Sequence, residues 1–594
     1  MKILLVAINA KYIHTNPAVY LLRANAGDFR DFVKIREFTI NQNPDDILRG
    51  IVDEKPEFIG FSCYIWNIDM VKKLLKECKK LLPDTVLWLG GPEAEAGAEQ
   101  LLREYPQVDG IMYGEGEMVI PEVLQYYVSL TGETKTAQSG TTFLNGTLQS
   151  IPGIIFRTDN GIVKTAPAAQ ADMDKLVFPY DEAVLDKTKG KILYYESSRG
   201  CPFHCSYCLS SEDNHVRFRS VENVIKDLKV FLDAKLTQVK FVDRTFNCNH
   251  ERMKAILEFM LEHDNGVTNF HFEIGGDLLT EEEISLLGKF RPGAVQLEIG
   301  VQTTNPEVMK RIGRVNKKDA LFSNVRTLLQ NAKQHVHLDL IAGLPGEDMQ
   351  SFIRSFDEVY SLHPNQLQLG FLKVLGNTRI FRETEKYGIQ YREYPPYEVL
   401  STTAVSYHEL QELKQVEEVV EIFYNSGQFA EELRFLENFL GRYGNRNGDA
   451  GAFSAYGMFR GLASAYYLRF PNGMQSSRMA KYEVLSGYIK SLTGDELHDA
   501  VVQLAVFDCY ARERKKARPA FSPKNDGERM VKAMMRENEA AVIYSNENHA
   551  EYFTIDIKKT AETGTAAFRE NIAIFNYGKR SPITDNAEVV FYDL

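Results

Sequence analysis

Long apolar runs are missing from this sequence of 594 residues, and none approaches the roughly 18 residues that a membrane-spanning helix needs. The apolar stretch within residues 1–8, which include Lys2, is too short for the core of a signal peptide, and polar Asn9 follows at once, so we expect a buried strand there. Low-complexity composition is absent as well, because 44% of the residues are hydrophobic and 25% are charged. The length therefore predicts several folded domains.

Positive charge is scarce, since 69 lysines and arginines stand against 81 aspartates and glutamates, for a net charge of −12. This balance disfavours indiscriminate nucleic-acid binding, although a local basic patch remains open. One basic run comprises Arg512, Arg514, Lys515, Lys516 and Arg518. Such a run is typical of a solvated helix face, with a phosphate-bearing or nucleic-acid substrate as the alternative.

Cysteines are few and odd in number, since the whole chain has seven, and this excludes a complete disulfide framework. Without an export signal, we expect a reducing cytoplasm. Three of the seven form a C-x3-C-x2-C motif, Cys201, Cys205 and Cys208. Thiolates bind zinc or iron–sulfur clusters, so this motif is the candidate metal site.

The number of thiolates in this motif favours an iron–sulfur cluster. A structural zinc site needs a fourth ligand, usually from a second Cys or His pair, and no such pair is present. Three thiolates fit a four-iron, four-sulfur cluster that leaves one iron open to an exogenous ligand. Zinc remains the alternative, with isolated candidates for a fourth ligand at Cys248, His204 and His215.

Residues 1–130 alternate short apolar runs with helical patterns, which predicts a parallel, doubly wound, flavodoxin-like sheet in an α/β fold. The expected strands are residues 2–8, 33–39, 58–63, 85–89 and 108–113. Ligands of such sheets bind beyond the carboxyl ends of the strands. The phosphate-binding G-x-G-x-x-G is absent after the first strand, which argues against a nicotinamide dinucleotide.

Three turns at this expected edge contain candidate cofactor-binding residues. They are Tyr64 after the third strand, Gly90, Gly91, Pro92 and Glu93 after the fourth, and Gly114, Glu115, Gly116 and Glu117 after the fifth. Glycine in a single turn of this kind is most often structural. Three such turns at one edge favour a cofactor crevice.

Residues 131–190 break the alternation, and we expect them to connect two domains. Residues 131–134 and 139–146 are rich in turn formers, and residues 154–163 predict a hairpin around Asn160 and Gly161.

Residues 191–390 show a second alternation, of six strands and intervening helices, which predicts a partial (β/α)6 barrel. The expected strands are residues 192–197, 238–242, 269–274, 295–301, 335–341 and 366–372. Active residues of such barrels gather at the carboxyl ends of the strands, and the cysteine loop follows the first strand. The other residues at these ends include Asp243, Arg244, Glu273, Asp277, Gln302, Gly343, Pro345, Gly346 and Glu347.

Residues 391–594 depart from this rhythm and predict a C-terminal α+β domain that caps the substrate cavity. Helices are expected at residues 398–424, 430–443 and 462–468. Short strands are expected at residues 540–544, 552–557, 572–577 and 588–592.

The cysteine motif, with Tyr207 before its last cysteine, resembles that of the radical S-adenosylmethionine (radical SAM) superfamily. Residues 243–247, 298–302 and 343–347 are also similar to family patterns. Up to about residue 375 the chain resembles the branch that carries an N-terminal cobalamin-binding domain. The resemblance implies that Cys201, Cys205 and Cys208 hold a [4Fe-4S] cluster whose open iron takes the amino and carboxylate groups of S-adenosylmethionine.

The same resemblance implies where the other cofactor contacts lie. The segment with Asp243 and Arg244 is expected at the amino group of S-adenosylmethionine, and Gln302 and residues 343–346 at its ribose and adenine. Phe203, Tyr207 and Glu273 are further candidates, and the turns with Gly90–Glu93 and Gly114–Glu117 are expected to form the cobalamin edge.

One departure from the cobalamin-binding pattern concerns the lower axial ligand of cobalt. The D-x-H-x-x-G signature is absent from residues 1–130, where His14 is the only histidine. We expect His14 to be a hydrogen-bonded loop residue or a corrin contact rather than a cobalt ligand. Many members of the branch also lack this signature and hold cobalamin without a protein histidine bound to cobalt.

The resemblance implies reductive cleavage of S-adenosylmethionine to a 5′-deoxyadenosyl radical, followed by methylation of an unactivated carbon. The substrate is an unknown small molecule or peptide, and a flavodoxin or ferredoxin is the expected one-electron reductant. Both cofactors must face one cavity, so the crevice edge of the first domain must dock over the carboxyl rim of the barrel.

Several alternatives stay open. A cobalamin-dependent radical SAM cyclase or rearrangement enzyme shares the same cofactors, and a non-catalytic cobalamin sensor with structural zinc would not be an enzyme. A tRNA methylthiotransferase is disfavoured because only Cys63 and Cys78 precede the motif, where that family needs three cysteines. Hydrolysis has no support, since no Ser/His/Asp set or H-E-x-x-H is visible. The carboxylates Glu273, Asp277, Glu298 and Asp339 have a structural alternative, as partners of Arg199 and Arg244.

Overall fold

The computed structural model describes residues 1–130, 147–211, 215–443, 453–473, 477–515, 517–522, 527, 529–531 and 548–594. The chain divides into two compact units. The first comprises Met1–Gln296, Ile312–Asn316 and Leu372–Leu400. The second comprises Leu297–Arg311, Lys317–Phe371 and Ser401–Leu594.

The first sheet confirms the doubly wound arrangement expected for the start of the chain. Its strands are β1 (Ile3–Asn9), β2 (Val33–Thr39), β3 (Phe58–Ser62), β4 (Val86–Gly90), β5 (Gly110–Met112), β6 (Ile154–Thr158) and β7 (Gly161–Lys164). They lie in the order β2-β1-β3-β4-β5-β6-β7, and the first five pair in parallel. The order reverses next to β1, which creates the crevice typical of such sheets.

Helices separate these strands along the chain. They are α1 (Pro17–Ala24), α2 (Pro44–Val52), α3 (Ile68–Leu81), α4 (Pro92–Ala96), α5 (Ala98–Glu104) and α6 (Gly116–Leu130). A 3-10 turn, Gly27–Phe32, precedes β2. Every residue of β1 and of β3 is buried, as expected where both faces of a parallel sheet are covered.

One close contact explains why β5 begins with glycine. Gly110 lies opposite Trp88 of β4, and a Cβ atom at Gly110 would lie 2.6 Å from the Trp88 ring. Trp88 is fully buried and is one of the largest buried side chains of the described residues, so the glycine makes room for it.

The hairpin expected around Asn160 and Gly161 is formed by β6 and β7, and β6 pairs antiparallel with β5. The hairpin therefore extends the first sheet, and Ile155 packs in its core. Leu148–Ser150 forms a 3-10 turn and α7 (Glu182–Lys187) follows. The turn-rich residues 131–146 lie outside the described part of the chain.

The six expected strands of the second alternation are present in the same order along the chain. They are β8 (Leu193–Tyr195), β11 (Gln238–Phe241), β12 (Asn269–Ile274), β13 (Val295–Gln302), β14 (His335–Ala342) and β15 (Gln366–Phe371). Two short strands, β9 (Ser198–Arg199) and β10 (Arg217–Phe218), pair antiparallel on either side of the cysteine loop. In the first unit β11 pairs in parallel with β8 and β12, and in the second unit β14 pairs in parallel with β15.

Helices connect these strands, as the periodicity predicts. They are α8 (Val221–Asp233), α9 (His250–Glu262), α10 (Glu281–Leu287), α11 (Pro306–Arg311), α12 (Lys318–Asn331) and α13 (Met349–Tyr360). Three 3-10 turns lie at Leu209–Ser211, Phe246–Cys248 and Gly276–Leu278. After β15 come α14 (Arg379–Arg382), β16 (Gln390–Tyr391) and β17 (Val399–Ser401).

The last two hundred residues form helices followed by a small antiparallel sheet. The helices are α15 (Tyr407–Val419), continued by the π-helical Val420–Asn425, then α16 (Ala430–Tyr443), α17 (Ala455–Arg469), α18 (Arg478–Thr493) and α19 (His498–Arg512). The sheet comprises β18 (Asn548–Ile555), β19 (Phe568–Arg580) and β20 (Ala587–Asp593), with α20 (Ile557–Thr563) after β18.

This region differs from expectation in two respects. The helix expected from residue 398 begins at Tyr407, because Val399–Ser401 is a strand. Helices α18 and α19 were not expected, and α19 lacks a polar stripe because every residue from 500 to 511 is buried. The strand expected at residues 540–544 lies outside the described residues, and so does Lys516 of the basic run. Across the part that is described, no helix is long and apolar enough to cross a membrane.

Candidate functional site

The cysteine loop begins at a backbone turn that only glycine fits. Gly200 has φ +96°, and a Cβ atom there would lie 2.3 Å from the carbonyl oxygen of His215. His215 precedes β10, so the close approach follows from the pairing of β9 with β10. The paired strands therefore fix the point from which Cys201 enters the loop.

Backbone hydrogen bonds hold the middle of the loop. The Ser206 N–H donates to the carbonyl oxygen of Ile312 at 2.8 Å, and the Ser206 carbonyl accepts from the Ile380 N–H at 2.8 Å. Gly313 has φ +69°, and a Cβ atom there would lie 2.7 Å from the carbonyl oxygen of His204. Two distant segments thus clamp the loop on both sides of Cys205.

Polar groups approach two of the three sulfur atoms. The Cys201 Sγ lies 3.8 Å from the Thr245 hydroxyl, and Arg314 Nη1 donates to the Cys205 Sγ at 3.7 Å. Burial raises the pKa of Cys201, with the nearby thiols of Cys205 and Cys208 adding to the rise. The repulsion among the thiolates indicates that they lie near one another, and a cluster of positive iron ions would relieve it.

The other aromatic candidates lie inside this loop. The backbone N–H of Phe203 bonds to Cys201 and lowers the pKa of its thiol. Burial raises the pKa of the Tyr207 phenol strongly, and Arg314 opposes that rise. Tyr207 therefore stays neutral beside the cysteines.

The donor set fits an iron–sulfur cluster better than zinc. In the described ranges, no group of three or more His, Cys, Asp or Glu side chains is arranged to hold one metal ion. Structural zinc needs four ligands converging on a single ion, and the described residues give that alternative no support. In a four-iron cluster each thiolate binds its own iron, and its ligands need not converge on one point.

Asp243, expected near S-adenosylmethionine, uses its side chain inside the protein. Its carboxylate accepts from the Ser197 N–H at 2.7 Å, the Ser197 hydroxyl at 2.6 Å and the Ser198 hydroxyl at 2.7 Å. Burial raises its pKa, and these hydrogen bonds lower it. Asp243 thus ties the end of β11 to the residues that lead into the cysteine loop.

The next two strand ends are joined by an amide. Asn247 is fully buried, donates to the Gly275 carbonyl at 2.8 Å and accepts from the Gly275 N–H at 2.8 Å. Arg244 lies 3.9 Å from Glu273, which supports the structural alternative for that carboxylate. Asp339 likewise lies 3.1 Å from His337.

The turn after β4 is built by contacts within the first unit. Gly91 has φ +103°, and a Cβ atom there would lie 2.5 Å from the Cys63 carbonyl oxygen, whereas the same atom at Gly90 would make only ordinary contacts. Pro92 is the first residue of α4. The Glu93 carboxylate accepts from the Tyr397 hydroxyl at 2.8 Å, and burial raises its pKa.

The turn after β5 carries carboxylates that pair with arginines. Glu117 accepts from Arg199 Nη2 at 2.8 Å, and Glu115 lies 3.2 Å from Arg199 Nη1 and is also paired with Arg217. Gly114 has φ +71°, and a Cβ atom there would have no neighbour within 4 Å. The glycine therefore faces open space, while both glutamates are occupied by protein cations.

Exposed apolar side chains mark the carboxyl edge of the first sheet. Tyr12 and Ile13 follow β1, Trp66 follows β3 and Met118 follows β5, with exposed fractions of 78%, 45%, 42% and 40%. Trp66 stacks on Tyr64 at 4.5 Å between ring centroids and donates to the Ile8 carbonyl at 3.1 Å. Exposed apolar groups at a ligand-binding edge fit the broad face of a corrin ring.

His14 is engaged by the protein. Its Nδ1 lies 2.6 Å from the Tyr194 hydroxyl, and burial lowers its pKa, as do the charges of Lys11 and Lys240. This matches a hydrogen-bonded loop residue, the first of its two expected roles.

The second unit holds the remaining candidates. Gln302 ends β13 with φ +70°, a strained conformation for a residue with a side chain, and its Oε1 is buried without a hydrogen-bond partner in the described residues. Gly343 and Gly346 have φ +81° and +71°, and the carbonyl between them, of Pro345, accepts from Arg311 at 2.8 Å. These are the strand ends expected at the ribose and adenine.

Glu347 connects the loops after β13 and β14. Its Oε1 accepts from the Thr303 hydroxyl at 2.5 Å and the Ser351 hydroxyl at 3.2 Å, whereas its Oε2 is buried and finds no partner within the described ranges. Burial raises the pKa of Glu347 to about 7, although Thr303 and Ser351 lower it. The carboxyl therefore changes charge near neutral pH.

Sequence reasoning missed the residues that act on the site from a distance. Arg314 and Tyr397 were not singled out, whereas Thr245 lies within the expected segment 243–247 and Trp66 lies in the expected turn after the third strand. Arg314 and Tyr397 reach the cysteine loop and the β4 turn from segments far along the chain, so no local spacing identifies them.

Three family models match the chain. Residues 3–124 match the B12 binding domain, residues 195–359 match the radical SAM superfamily, and residues 385–575 match a family described as a protein of unknown function (DUF4080). The chain therefore carries a B12-binding domain followed by a radical SAM domain, which confirms the resemblance drawn from the cysteine motif and the turns.

Curated relatives match the first two domains. The anaerobic magnesium-protoporphyrin IX monomethyl ester cyclase of Rubrivivax gelatinosus is 23% identical over 354 residues, which cover 57% of this chain and 60% of the relative. The cobalamin-dependent radical SAM methyltransferase TokK of Streptomyces tokunonensis is 26% identical over 321 residues, 51% of this chain and 44% of the relative. The chain thus spans about half the length of these relatives.

A solved structure is similar over a longer part of the chain. The cobalamin-dependent S-adenosylmethionine radical enzyme OxsB, with aqua-cobalamin bound, has a TM-score of 0.58 at 14% identity and covers 92% of this chain and 82% of its own. At this identity the likeness shows the fold alone, and it confirms the expected fold class.

Proposed function

We propose that this chain, in which a B12-binding domain precedes a radical SAM domain, is a cobalamin-dependent radical SAM methyltransferase. One observation supports the joint use of the two cofactors, and the similarity to the methyltransferase TokK favours methyl transfer. The carboxyl edge of the B12-binding domain contacts the segment that leads into the cysteine loop, through Arg199 and the glutamates Glu115 and Glu117. Both cofactor sites thus belong to one compact unit, as transfer between two cofactors requires.

The candidate residues suit three cofactors. Cys201, Cys205 and Cys208 would hold the [4Fe-4S] cluster, Gln302 and residues 343–346 would bind S-adenosylmethionine, and the exposed edge with Trp66 would support cobalamin. When bound, the cofactors would supply a 5′-deoxyadenosyl radical for hydrogen abstraction and a methyl group for transfer.

The protein itself positions these groups. Arg314, beside Cys205, places a positive charge next to a cluster ligand, and the Thr245 hydroxyl approaches Cys201. Charge and hydrogen bonds at the sulfur atoms tune the reduction potential of a cluster. The buried, unpartnered Oε1 of Gln302 offers an acceptor to a ligand hydroxyl or amine.

A reducing cytoplasm is the cellular setting that we propose. All seven cysteines are free thiols in the structure, which suits a reducing cytoplasm. A one-electron donor such as a flavodoxin or ferredoxin would reduce the cluster, and the substrate class would be a small molecule or a peptide.

A second candidate function is a cyclase reaction without methyl transfer. The similarity to the cyclase of Rubrivivax gelatinosus favours it, since that relative covers a larger share of this chain than TokK does. Both reactions would use the same cysteine loop and the same B12-binding edge, so geometry does not separate them.

Labelled S-adenosylmethionine separates the two candidates. The anaerobically reconstituted protein is incubated with a reductant, S-adenosylmethionine carrying a trideuterated methyl group and a small-molecule extract. A methyltransferase yields a new product with three deuterium atoms, while a cyclase yields a new product with none. A control with Cys201→Ala, Cys205→Ala and Cys208→Ala should yield neither.

A further inference from the structure

We propose that Arg199 is a positioning residue that holds the B12-binding domain against the cysteine loop and so sets the distance between the two cofactors. The proposal rests on the proposed function only for the identity of the cofactors. Glu115 and Glu117 were expected to bind a cofactor, because they lie in the turn after the fifth strand. In the structure they bind arginines of the protein instead. We define the arginine clamp as Glu115, Glu117, Glu196, Arg199 and Arg217.

Every nitrogen of the Arg199 guanidinium contacts a carboxylate of the clamp. Its Nε donates to Glu196 at 2.9 Å, its Nη2 donates to Glu196 at 2.7 Å and to Glu117 at 2.8 Å, and its Nη1 lies 3.2 Å from Glu115. Glu196 belongs to the segment before the cysteine loop, while Glu115 and Glu117 follow β5. One side chain thus joins the end of a first-domain strand to the start of the cysteine loop.

A second arginine doubles this connection. Arg217, in β10 on the far side of the cysteine loop, pairs with Glu115 and donates to the Ala171 carbonyl at 2.9 Å. Strands β9 and β10 flank the cysteine loop. Arg199 and Arg217, one from each strand, therefore both bind Glu115 in the turn after β5.

Burial makes the clamp stronger than a surface ion pair. The side chains of Glu117, Glu115, Arg199 and Glu196 are only 10%, 17%, 18% and 20% exposed. Removing one partner of a buried pair leaves the others uncompensated, which is far costlier than losing an exposed pair. Two bidentate arginines also fix orientation as well as distance.

The charged groups of the clamp bond to one another in the structure, so we expect its effect on the cofactors to act through position. Movement of the turn after β5 would change where cobalamin lies relative to the cluster. We therefore expect the Arg199→Met variant to bind both the cluster and cobalamin, with a larger distance between them.

Hydrogen exchange on the cofactor-free protein tests the docking. In Arg199→Met, amides of residues 114–118 should exchange about tenfold faster, as expected when a partly buried ion pair opens. The same substitution at exposed Arg103, whose side chain is 70% exposed and pairs with Glu99 on a helix surface, serves as the matched control and should change nothing. Unchanged exchange in Arg199→Met would overturn the clamp.

Electron paramagnetic resonance of the reconstituted protein tests the position of the cofactors. In the wild type, the reduced cluster should speed the spin relaxation of cob(II)alamin, and Arg199→Met should weaken this effect at equal iron and corrinoid content. Glu117→Gln, remote in sequence from the cysteines, should weaken it too. An undiminished effect in both variants would refute the positioning role, whereas a wild type that binds no corrinoid would refute the proposed function and leave the exchange result standing.

Discussion

The polar residues at strand ends serve different purposes in the two units. In the first unit the carboxylates Glu93, Glu115 and Glu117 are all paired with a tyrosine or an arginine of the protein. In the second unit, Gln302 Oε1 and Glu347 Oε2 are buried and lack a hydrogen-bond partner in the described part of the chain. Equivalent positions in two α/β sheets thus hold a docking surface in one case and unused acceptors in the other.

This difference teaches which residues are available to a ligand. A charged side chain whose hydrogen bonds are complete has no free group with which to bind a cofactor. A buried acceptor without a partner destabilises the protein until a ligand supplies a donor. The strained backbone of Gln302 supports the same conclusion, because such strain persists mainly at functional sites.

The largest expected effect tests whether the first-unit turns are structural. Gly91→Ala combines a positive φ with a Cβ atom 2.5 Å from the Cys63 carbonyl, so it should destabilise the protein by about 3 kcal/mol or more. Gly114→Ala has the positive φ without the clash and should cost about 1 kcal/mol. Denaturant unfolding compares the two, and equal losses would show that the contact with Cys63 is unimportant.

The next effect concerns the charge of Glu347. Its pKa is raised to about 7 in the folded protein, so the folded state binds the proton more tightly than the unfolded state. The resulting stability is complete below the unfolded pKa and is lost as pH rises toward 7, by about 3 kcal/mol in all. Glu347→Gln should remove this loss, which unfolding curves between pH 4.5 and 7.5 will measure.

Parallel pH dependence in the wild type and in Glu347→Gln would show that the unpartnered carboxyl is not proton-linked. Glu117→Gln serves as the comparison from the first unit, because Glu117 is held by Arg199. It should lower stability, because it removes one partner of a partly buried ion pair.

A third prediction separates stability from ligand binding at Gln302. Glycine tolerates a φ of +70°, so Gln302→Gly should raise the stability of the cofactor-free protein by about 1 kcal/mol. The lost acceptor should weaken binding of S-adenosylmethionine to the reconstituted protein about tenfold. Denaturant unfolding should therefore show a higher free energy of unfolding, while equilibrium dialysis should show a lower affinity for S-adenosylmethionine. Unchanged affinity would show that Gln302 does not belong to the binding site.

The smallest effect concerns the turn after β4. Tyr397→Phe removes one hydrogen bond to Glu93, which should cost about 1 kcal/mol in denaturant unfolding. Affinity for S-adenosylmethionine should stay unchanged, because Glu93 and Tyr397 bind each other in the first unit and are not expected to contact that ligand. A large loss of affinity would contradict the division between the two units.

Much of the fold was predictable because buried parallel strands are continuous apolar runs. The expected strand at residues 269–274 matches β12 in full, and β13 and β14 each extend one residue beyond expectation. Helix α19 escaped prediction because burial on all sides removes the periodicity on which helix prediction depends.

The site was predictable only in part. The spacing of Cys201, Cys205 and Cys208 indicates a cluster, since the ligands are close in sequence. The partners of Glu93 and Glu115 could not be read, because Tyr397 and Arg217 come from distant segments and pairing depends on the folded structure. Whether a charged residue binds a ligand or another residue is decided by tertiary contacts.

Reductive cleavage of S-adenosylmethionine tests the central claim most directly. The anaerobically reconstituted wild type, given a strong reductant, should release 5′-deoxyadenosine and methionine, and replacing the three cysteines with alanine should abolish both products. Undiminished 5′-deoxyadenosine from the triple variant, or none from a wild type that contains four irons, would contradict the account.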